Sequence, residues 1–318
     1  MDAVRFHEHG GPEALVVDDV ERPSPDPGEV LVEVEATAIN PVDTYFREGS
    51  YDVPTLPWIA GSDVAGVVAA VGDDVDRFAV GDRVFGTGLG KERPGTCAEF
   101  VAVPEPHLAG LPEGTDFAAG AAVALVGVTA WDTLVRACDL TATDRALVHG
   151  GSGGVGHVAV QIAAAAGARV TTTAAPAYHD RLANLGADAT LAYGRADLSD
   201  AIQEAGAPDV VLDHRLDEYL PLDAAVAAHG ARIAAIGNES DAATFPDVSA
   251  CRSKALSVHH VSMFNVPAYA PVLDRLASLL AGGELEPAVA RTYGLADVPA
   301  AQRAVLEESF LGKLVVEV

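Results

Sequence analysis

Positive charge is scarce in this chain. Only 20 residues are Lys or Arg against 46 Asp or Glu, a formal net charge of −26, and the lysines are Lys91, Lys254 and Lys313 alone. A surface so acidic repels nucleic acid and anionic membranes, so neither is an expected partner. Cysteine is scarce as well. Cys97, Cys138 and Cys251 lie far apart and form no C-x-x-C pair, which argues against a disulfide framework and against a structural zinc lobe. Long apolar runs are missing too: the best candidate, 117–131, is interrupted by Gly120, Gly127 and Thr129 and falls short of the ~20 residues a membrane span requires. Asp2, Arg5 and Glu8 interrupt any signal-peptide pattern at the start. These absences lead us to expect a soluble, cytoplasmic protein. Lysine scarcity beside many Asp and Ala fits a halophilic cytosol, where charges are screened over about 3 Å at 1 M salt; a merely acidic protein is the alternative. Either way the charge speaks of environment and not of reaction.

Glycine, in contrast, is concentrated where it carries information. The run His149-Gly-Gly-Ser-Gly-Gly-Val-Gly156 follows the apolar segment Ala146–Val148 and opens into the helix-like 158–167, after which an apolar strand spans 168–173. Gly151, Gly153 and Gly156 satisfy G-x-G-x-x-G in the strand–turn–helix–strand setting that a dinucleotide fingerprint requires. The first glycine is expected to make the tight turn, the second to admit a pyrophosphate, and the third to let helix and strand pack. Gly154 and Val155 then open the helix, whose free N–H groups and positive dipole end suit phosphate, and the Ser152 hydroxyl can add a bond to a phosphate oxygen. An NAD site usually places an acid at the end of the second strand. Here 170–176 reads Val-Thr-Thr-Thr-Ala-Ala-Pro, followed by Tyr178, His179 and Arg181, which favours NADPH over NADH. Arg181 has a plainer reading as a solvated helix residue paired with Asp180 or Asp188.

The chain divides by pattern. Its first 120 residues read as short strands with Gly and Pro punctuation: 30–35, 63–72, 80–85 and 98–103, a compact β-barrel-like domain. From about 121 onward, apolar strands at 146–148, 169–173, 210–212 and 232–236 alternate with Ala-rich helices ending in Gly167, Gly186, Gly206 and Gly230. That is a doubly wound α/β domain. A helix over 270–281 and a last strand over 314–318 follow, the strand free to return to the first domain.

Several blocks together resemble a family: Ala38-Ile-Asn-Pro-Val-Asp-Thr-Tyr-Phe-Arg47, Gly61-Ser-Asp-Val-Ala-Gly-Val-Val68, Gly81-Asp-Arg-Val-Phe85, Gly127-Val-Thr-Ala130, the glycine run, Leu185-Gly-Ala-Asp188 and Gly312-Lys-Leu-Val315. In order and spacing the chain is similar to the zinc-independent quinone oxidoreductases, the ζ-crystallin-like branch of the medium-chain dehydrogenases/reductases. The resemblance implies an α/β protein with a GroES-like β-rich catalytic domain (1–121 and 265–318), a Rossmann domain (122–264), and NADPH with the acceptor held in the cleft between them. It also implies a homodimer. Zinc-dependent relatives carry a Cys ligand near Asn40 and a Gly-His-Glu around Gly61-Ser-Asp63; Asn, Ser and Asp stand there instead, so no metal is expected.

Without a Lewis acid the acceptor must be easily reduced already, which points to a quinone or an activated alkene. By resemblance Asn40 and Tyr45 line the reaction site, Asn40 donating from its amide and Tyr45 giving a hydrogen bond or a proton. Plainer readings make Asn40 a turn residue and Tyr45 a packing residue; Asp43 reads as structural. Thr129, Gly237 and Asn238 match family positions near the nicotinamide, and Tyr193 one near the adenosine half. Lys313 is expected to reach a cofactor phosphate or the cleft. His149, His259 and His260 read as packing or turn residues. The functions weighed are an NADPH-dependent quinone reductase, an enone or enoyl reductase on the same scaffold, and a non-catalytic NADPH-binding protein.

Overall fold

The computed structural model describes residues 1–318, which form two compact units. The first comprises Met1–Val128, Pro267–Gly283 and Pro287–Val318, the second Thr129–Val266 with Glu284–Glu286.

The first unit is built on a seven-stranded sheet. Its long strand Glu29–Ile39 alternates Val with Glu and pairs antiparallel with Val64–Val71, Phe100–Pro104 and the last strand Lys313–Glu317. Val30, Val32, Val34, Val64, Val68, Val84 and Leu108 fill the interior. β-branched side chains suit such a pleated surface because their restricted χ1 costs little there. A separate three-stranded sheet joins Asp2–Phe6 to Leu15–Asp19 and Trp58–Ile59. The expected strand at 80–85 begins only at Arg83, because Val80 is exposed in a turn closed by Gly81. After Ile39 the chain turns into the helix Pro41–Glu48. Asn40 caps it, and Pro41 takes the first-turn place where a missing N–H costs nothing.

The second unit holds a parallel six-stranded sheet in the order Ala189–Ala192, Arg169–Ala174, Arg145–Val148, Val210–Asp213, Arg232–Ala235, Ser257–His260. Arg145–Val148 lies at its centre, so chain order reverses on either side of it. That reversal is the switch point at which open α/β sheets bind ligands beyond the carboxyl ends of their strands. Leu147, Val211, Ile233, Ile202 and Leu220 pack together beneath it, with Leu147, Val211 and Ile233 fully excluded from solvent.

One expectation needs correction. The segment 117–137 is a continuous helix of 21 residues, long and apolar enough to cross a membrane, because Gly120, Gly127 and Thr129 do not break it. Its α-helical part Phe117–Trp131 passes into a π-helical turn at Asp132–Ala137. Burial accounts for the apolarity: 72% of its most apolar window is enclosed by protein, and Gly127 leaves room for Leu276, which a Cβ would meet at 2.6 Å.

Candidate functional site

The glycine loop follows the central strand, as its sequence requires, but the glycines divide their labour differently from the expectation. The left-handed residue is Gly150, with φ +67°, and not Gly151. Gly151 is needed for proximity instead: a Cβ there would lie 2.0 Å from Thr172 Oγ1 on the adjoining strand. Gly156 packs against the loop itself, where a Cβ would lie 2.1 Å from the Gly150 carbonyl oxygen. Gly153 is exposed and caps the helix Gly154–Ala165, so the first-turn N–H groups at Gly154, Val155 and Gly156 face no side-chain cap. Ser152 sits half-buried in the turn. A bare backbone turn opening a twelve-residue helix fits a pyrophosphate, because those N–H groups and the dipole end are what an anion needs.

Thr173 holds this loop. Its carbonyl accepts from Gly151 N–H at 2.8 Å, and its hydroxyl lies 3.2 Å from Gly150 N and 3.2 Å from His149 Nδ1. His149 Nε2 is 2.8 Å from Asp223 Oδ1, and both side chains are fully buried. His149 also stacks on Tyr219, centroids 4.5 Å apart and planes 10° apart. His149 is therefore a connected residue and not only packing. Asp213 ends the neighbouring strand; burial and the nearby Asp223 push its carboxyl up to about 7. Burial lowers the His214 ring to about 4, and that ring borders Gly150 closely enough that a Cβ there would sit 2.8 Å from His214 Cε1. Sequence reading missed Thr173, Asp213, His214, Tyr219 and Asp223. The His149–Asp223 partnership spans 74 residues and leaves no local signal.

The other residues expected at the nucleotide lie within the same unit. Tyr178 is half-buried just past the second strand. Arg181 is exposed and paired with Glu286 at 2.5 Å, and not with Asp180 or Asp188. Tyr193 is 58% exposed. Gly237 packs on the His214 carbonyl, and the Asn238 amide turns to the Ser240 carbonyl. Thr129 is buried, its carbonyl accepting from the Thr133 hydroxyl.

In the first unit two of the expected site residues are enclosed and hydrogen-bonded within the protein. Asn40 is 2% exposed, and its amide hydrogens are committed to Asp63 Oδ2 at 2.8 Å and the Ala38 carbonyl at 3.3 Å. Its oxygen accepts from Lys313 Nζ. A side chain so occupied orders the site and has no N–H left for an acceptor. Lys313 is buried too: Nζ donates to the Ile39 carbonyl at 2.7 Å and lies 3.8 Å from Asp63. The reason is register: pairing of Leu314 with Ile39 sets Lys313 beside Asn40.

Around them Asp43 closes a capping box, accepting Asn40 N–H at 2.7 Å and the Ser62 hydroxyl at 2.6 Å. Asp63 accepts Leu125 N–H at 2.7 Å. Burial pushes Asp43 up to about 6. It also raises Asp63 and lowers Lys313, each held back by attraction to the other. Burial drives the Cys97 thiol up, so it is no nucleophile at neutral pH. No group of three His, Cys, Asp or Glu is placed to hold a metal ion. Tyr45, in contrast, is 37% exposed and stands edge-on to Tyr51, centroids 5.7 Å apart. Sequence reading passed over Tyr51.

A GroES-like unit and a Rossmann-type unit with this glycine loop define a medium-chain dehydrogenase/reductase. Residues 26–113 match the alcohol dehydrogenase GroES-like domain and residues 154–278 the zinc-binding dehydrogenase domain. The human quinone oxidoreductase is 34% identical over 319 residues, 97% of this chain and 95% of that protein. A crystal structure of Escherichia coli quinone oxidoreductase complexed with NADPH superposes at a TM-score of 0.89 with 28% identity, covering 100% of both chains. A crystal structure of an NAD-dependent alcohol dehydrogenase gives 0.93 with 32% identity over 100% of both. The chain belongs to the zinc-independent quinone oxidoreductase branch of the medium-chain dehydrogenases/reductases, and it is an oxidoreductase of that family.

Proposed function

We propose that the protein is an NADPH-dependent quinone reductase that works without a metal. The carrying observation is the glycine loop: Gly151 and Gly156 leave no room for a Cβ, and the helix behind them opens uncapped, within a chain of this family. Gly151, Ser152, Gly153, Gly154, Val155 and Gly156 would hold the pyrophosphate. Tyr178 and Arg181 would meet the 2′-phosphate, Arg181 exchanging Glu286 for the ligand at small cost because an exposed pair contributes little. Tyr193, Thr129, Gly237 and Asn238 would serve the rest of the nucleotide. When bound, NADPH supplies a hydride.

The Tyr45 hydroxyl is our choice of donor to the acceptor oxygen, since a phenol can give a hydrogen bond or a proton. Where zinc-dependent relatives place metal ligands, the buried cation here is the Lys313 ammonium, bonded to Asn40 and near Asp63. It would oppose a second cation, which supports metal-free chemistry and an acceptor that needs no Lewis acid. We place the enzyme in a salt-rich cytosol as a homodimer, on its charge and its family.

The test is purified protein in concentrated KCl, titrated separately with NADPH and NADH and then given 1,4-benzoquinone or 9,10-phenanthrenequinone. Quinone-dependent oxidation of NADPH, with NADH much poorer, supports the reading. Tight NADPH binding with no oxidation by either quinone moves the assignment to enones and enoyl thioesters or to a non-catalytic binder. An equal response to NADH removes the role of Arg181.

A further inference from the structure

The connection below the glycine loop is more than packing. Gly150 N–H donates to the Thr173 hydroxyl, which leaves the hydroxyl proton to be given to His149 Nδ1; His149 Nε2–H then donates to Asp223 Oδ1. Thr173 also takes Gly151 N–H on its carbonyl, so one residue fixes two successive amides of the loop. At the far end, Asp223 Oδ2 and Asp213 Oδ2 are both buried without a partner. Two carboxylate oxygens in that state each lack a donor, and a single shared proton supplies it. We infer that Asp213, Asp223, His149 and Thr173 form a buried relay whose shared proton positions the glycine loop, making Thr173 and His149 positioning residues for dinucleotide binding. The inference rests on the cofactor reading above.

The surroundings isolate that proton. Burial and Asp223 push Asp213 up to about 7, against Arg215 N–H, which donates to Asp213 Oδ1 at 2.7 Å. His214, lowered to about 4, is neutral near pH 7, and Tyr219, raised by burial, is neutral as well. The Arg215 guanidinium is turned away to Glu218 and Glu239, 2.7 and 2.8 Å distant. Losing the shared proton therefore adds a buried negative charge beneath a loop built for phosphate. Affinity for an anionic dinucleotide falls as pH rises through about 7.

The experiment measures the NADPH dissociation constant by fluorescence between pH 5.5 and 8.5 for the wild type, Thr173→Val, Thr173→Ser and Asp223→Asn, with near-UV circular dichroism to confirm folding. Comparison at each pH cancels the titration of NADPH's own 2′-phosphate. Thr173→Val should weaken binding by about tenfold, the value of one hydrogen bond, and Thr173→Ser should recover most of it. Asp223→Asn should flatten the fall through about pH 7, because the amide donates to Asp213 and removes the second charge. Thr173→Val binding as tightly as the wild type, or Asp223→Asn keeping the wild-type profile, overturns the relay while leaving the cofactor reading intact. Should Asp223→Asn not fold, a wild-type affinity for NADH, which has no 2′-phosphate to titrate, that does not change across this range overturns it equally. A wild type that binds neither NADPH nor NADH defeats the cofactor reading itself, and the relay with it.

Discussion

Lys313 and Tyr45 both came from matching family positions, and their surroundings give them opposite fates. Lys313 is enclosed, with Asn40 and Asp63 as its partners. Lys313→Met would strip Asp63 of its only nearby cation and leave a buried carboxylate uncompensated, a change that costs about 3–5 kcal/mol. Thermal denaturation should show a large drop in Tm for that variant, and Lys313→Met with Asp63→Asn should lose less than the two single changes summed. Additive losses would show that the two groups are not coupled. Tyr45 stands partly in solvent, so Tyr45→Phe should fold normally and hold NADPH with unchanged affinity while turnover with quinone falls about 100-fold, the low end for loss of a proton donor. An unchanged kcat would remove Tyr45 from the chemistry. The buried acids set a pH response of stability. Asp43 is raised to about 6 and Asp213 to about 7, both above their unfolded value near 3.9. Each contribution is thus fully present below the unfolded pKa and is lost as pH rises through the folded one. At fixed salt, Tm should decline between pH 5 and 8; a rise over that interval would contradict the burial of these two carboxyls.

Secondary-structure elements were the most legible layer. The runs at 146–148, 169–173, 210–212 and 232–236 emerged as strands within a residue or so, since a parallel strand covered on both faces reads as a continuous apolar run. Gly167, Gly186 and Gly206 do stand at positive φ where helices end, whereas the helix before Gly230 stops at Val226 and Gly230 takes its positive φ in the turn beyond. The helix over 117–137 misled for a physical reason: glycine lowers helix propensity in isolation, but here Gly127 is what lets Leu276 approach. Long-range partners were the illegible part. Nothing near Asn40 announces Lys313, 273 residues away, and nothing near His149 announces Asp223. The glycine loop was readable as a motif but not in its division of labour, which yields a sharp test. Gly156→Ala drives a Cβ to 2.1 Å from a backbone oxygen, while Gly151→Ala meets the Thr172 hydroxyl, a side-chain atom. Both should raise the NADPH dissociation constant with the fold retained. Only the Gly151 defect should be eased by Thr172→Ala, as read by fluorescence titration of the double variant. Equal behaviour of the two positions would show that the close contacts do not govern binding.

Over the whole molecule, the acidic excess is the property the fold explains least and physical chemistry explains best. A net charge of −26 on 318 residues repels itself at low ionic strength, where the screening length is about 10 Å at 0.1 M, and hardly at all where it is about 3 Å at 1 M. Most cations present are already tied to nearby acids: Arg5 to Asp18, Arg77 to Asp274, Arg232 to Asp144 and Arg291 to Glu308. The unbalanced acids must therefore rely on ions from solution. Screening has a recognisable form. Tm measured by calorimetry should climb steeply as KCl rises toward about 0.5 M and level off near 1 M, once the screening length drops below the spacing of surface charges. Potassium sulfate at equal ionic strength should give the same curve over that low range. A Tm that keeps rising in proportion to salt up to several molar, and more steeply in sulfate, would instead mean preferential exclusion of salt from the surface. In that case the acidic surface would not be what makes this protein depend on salt.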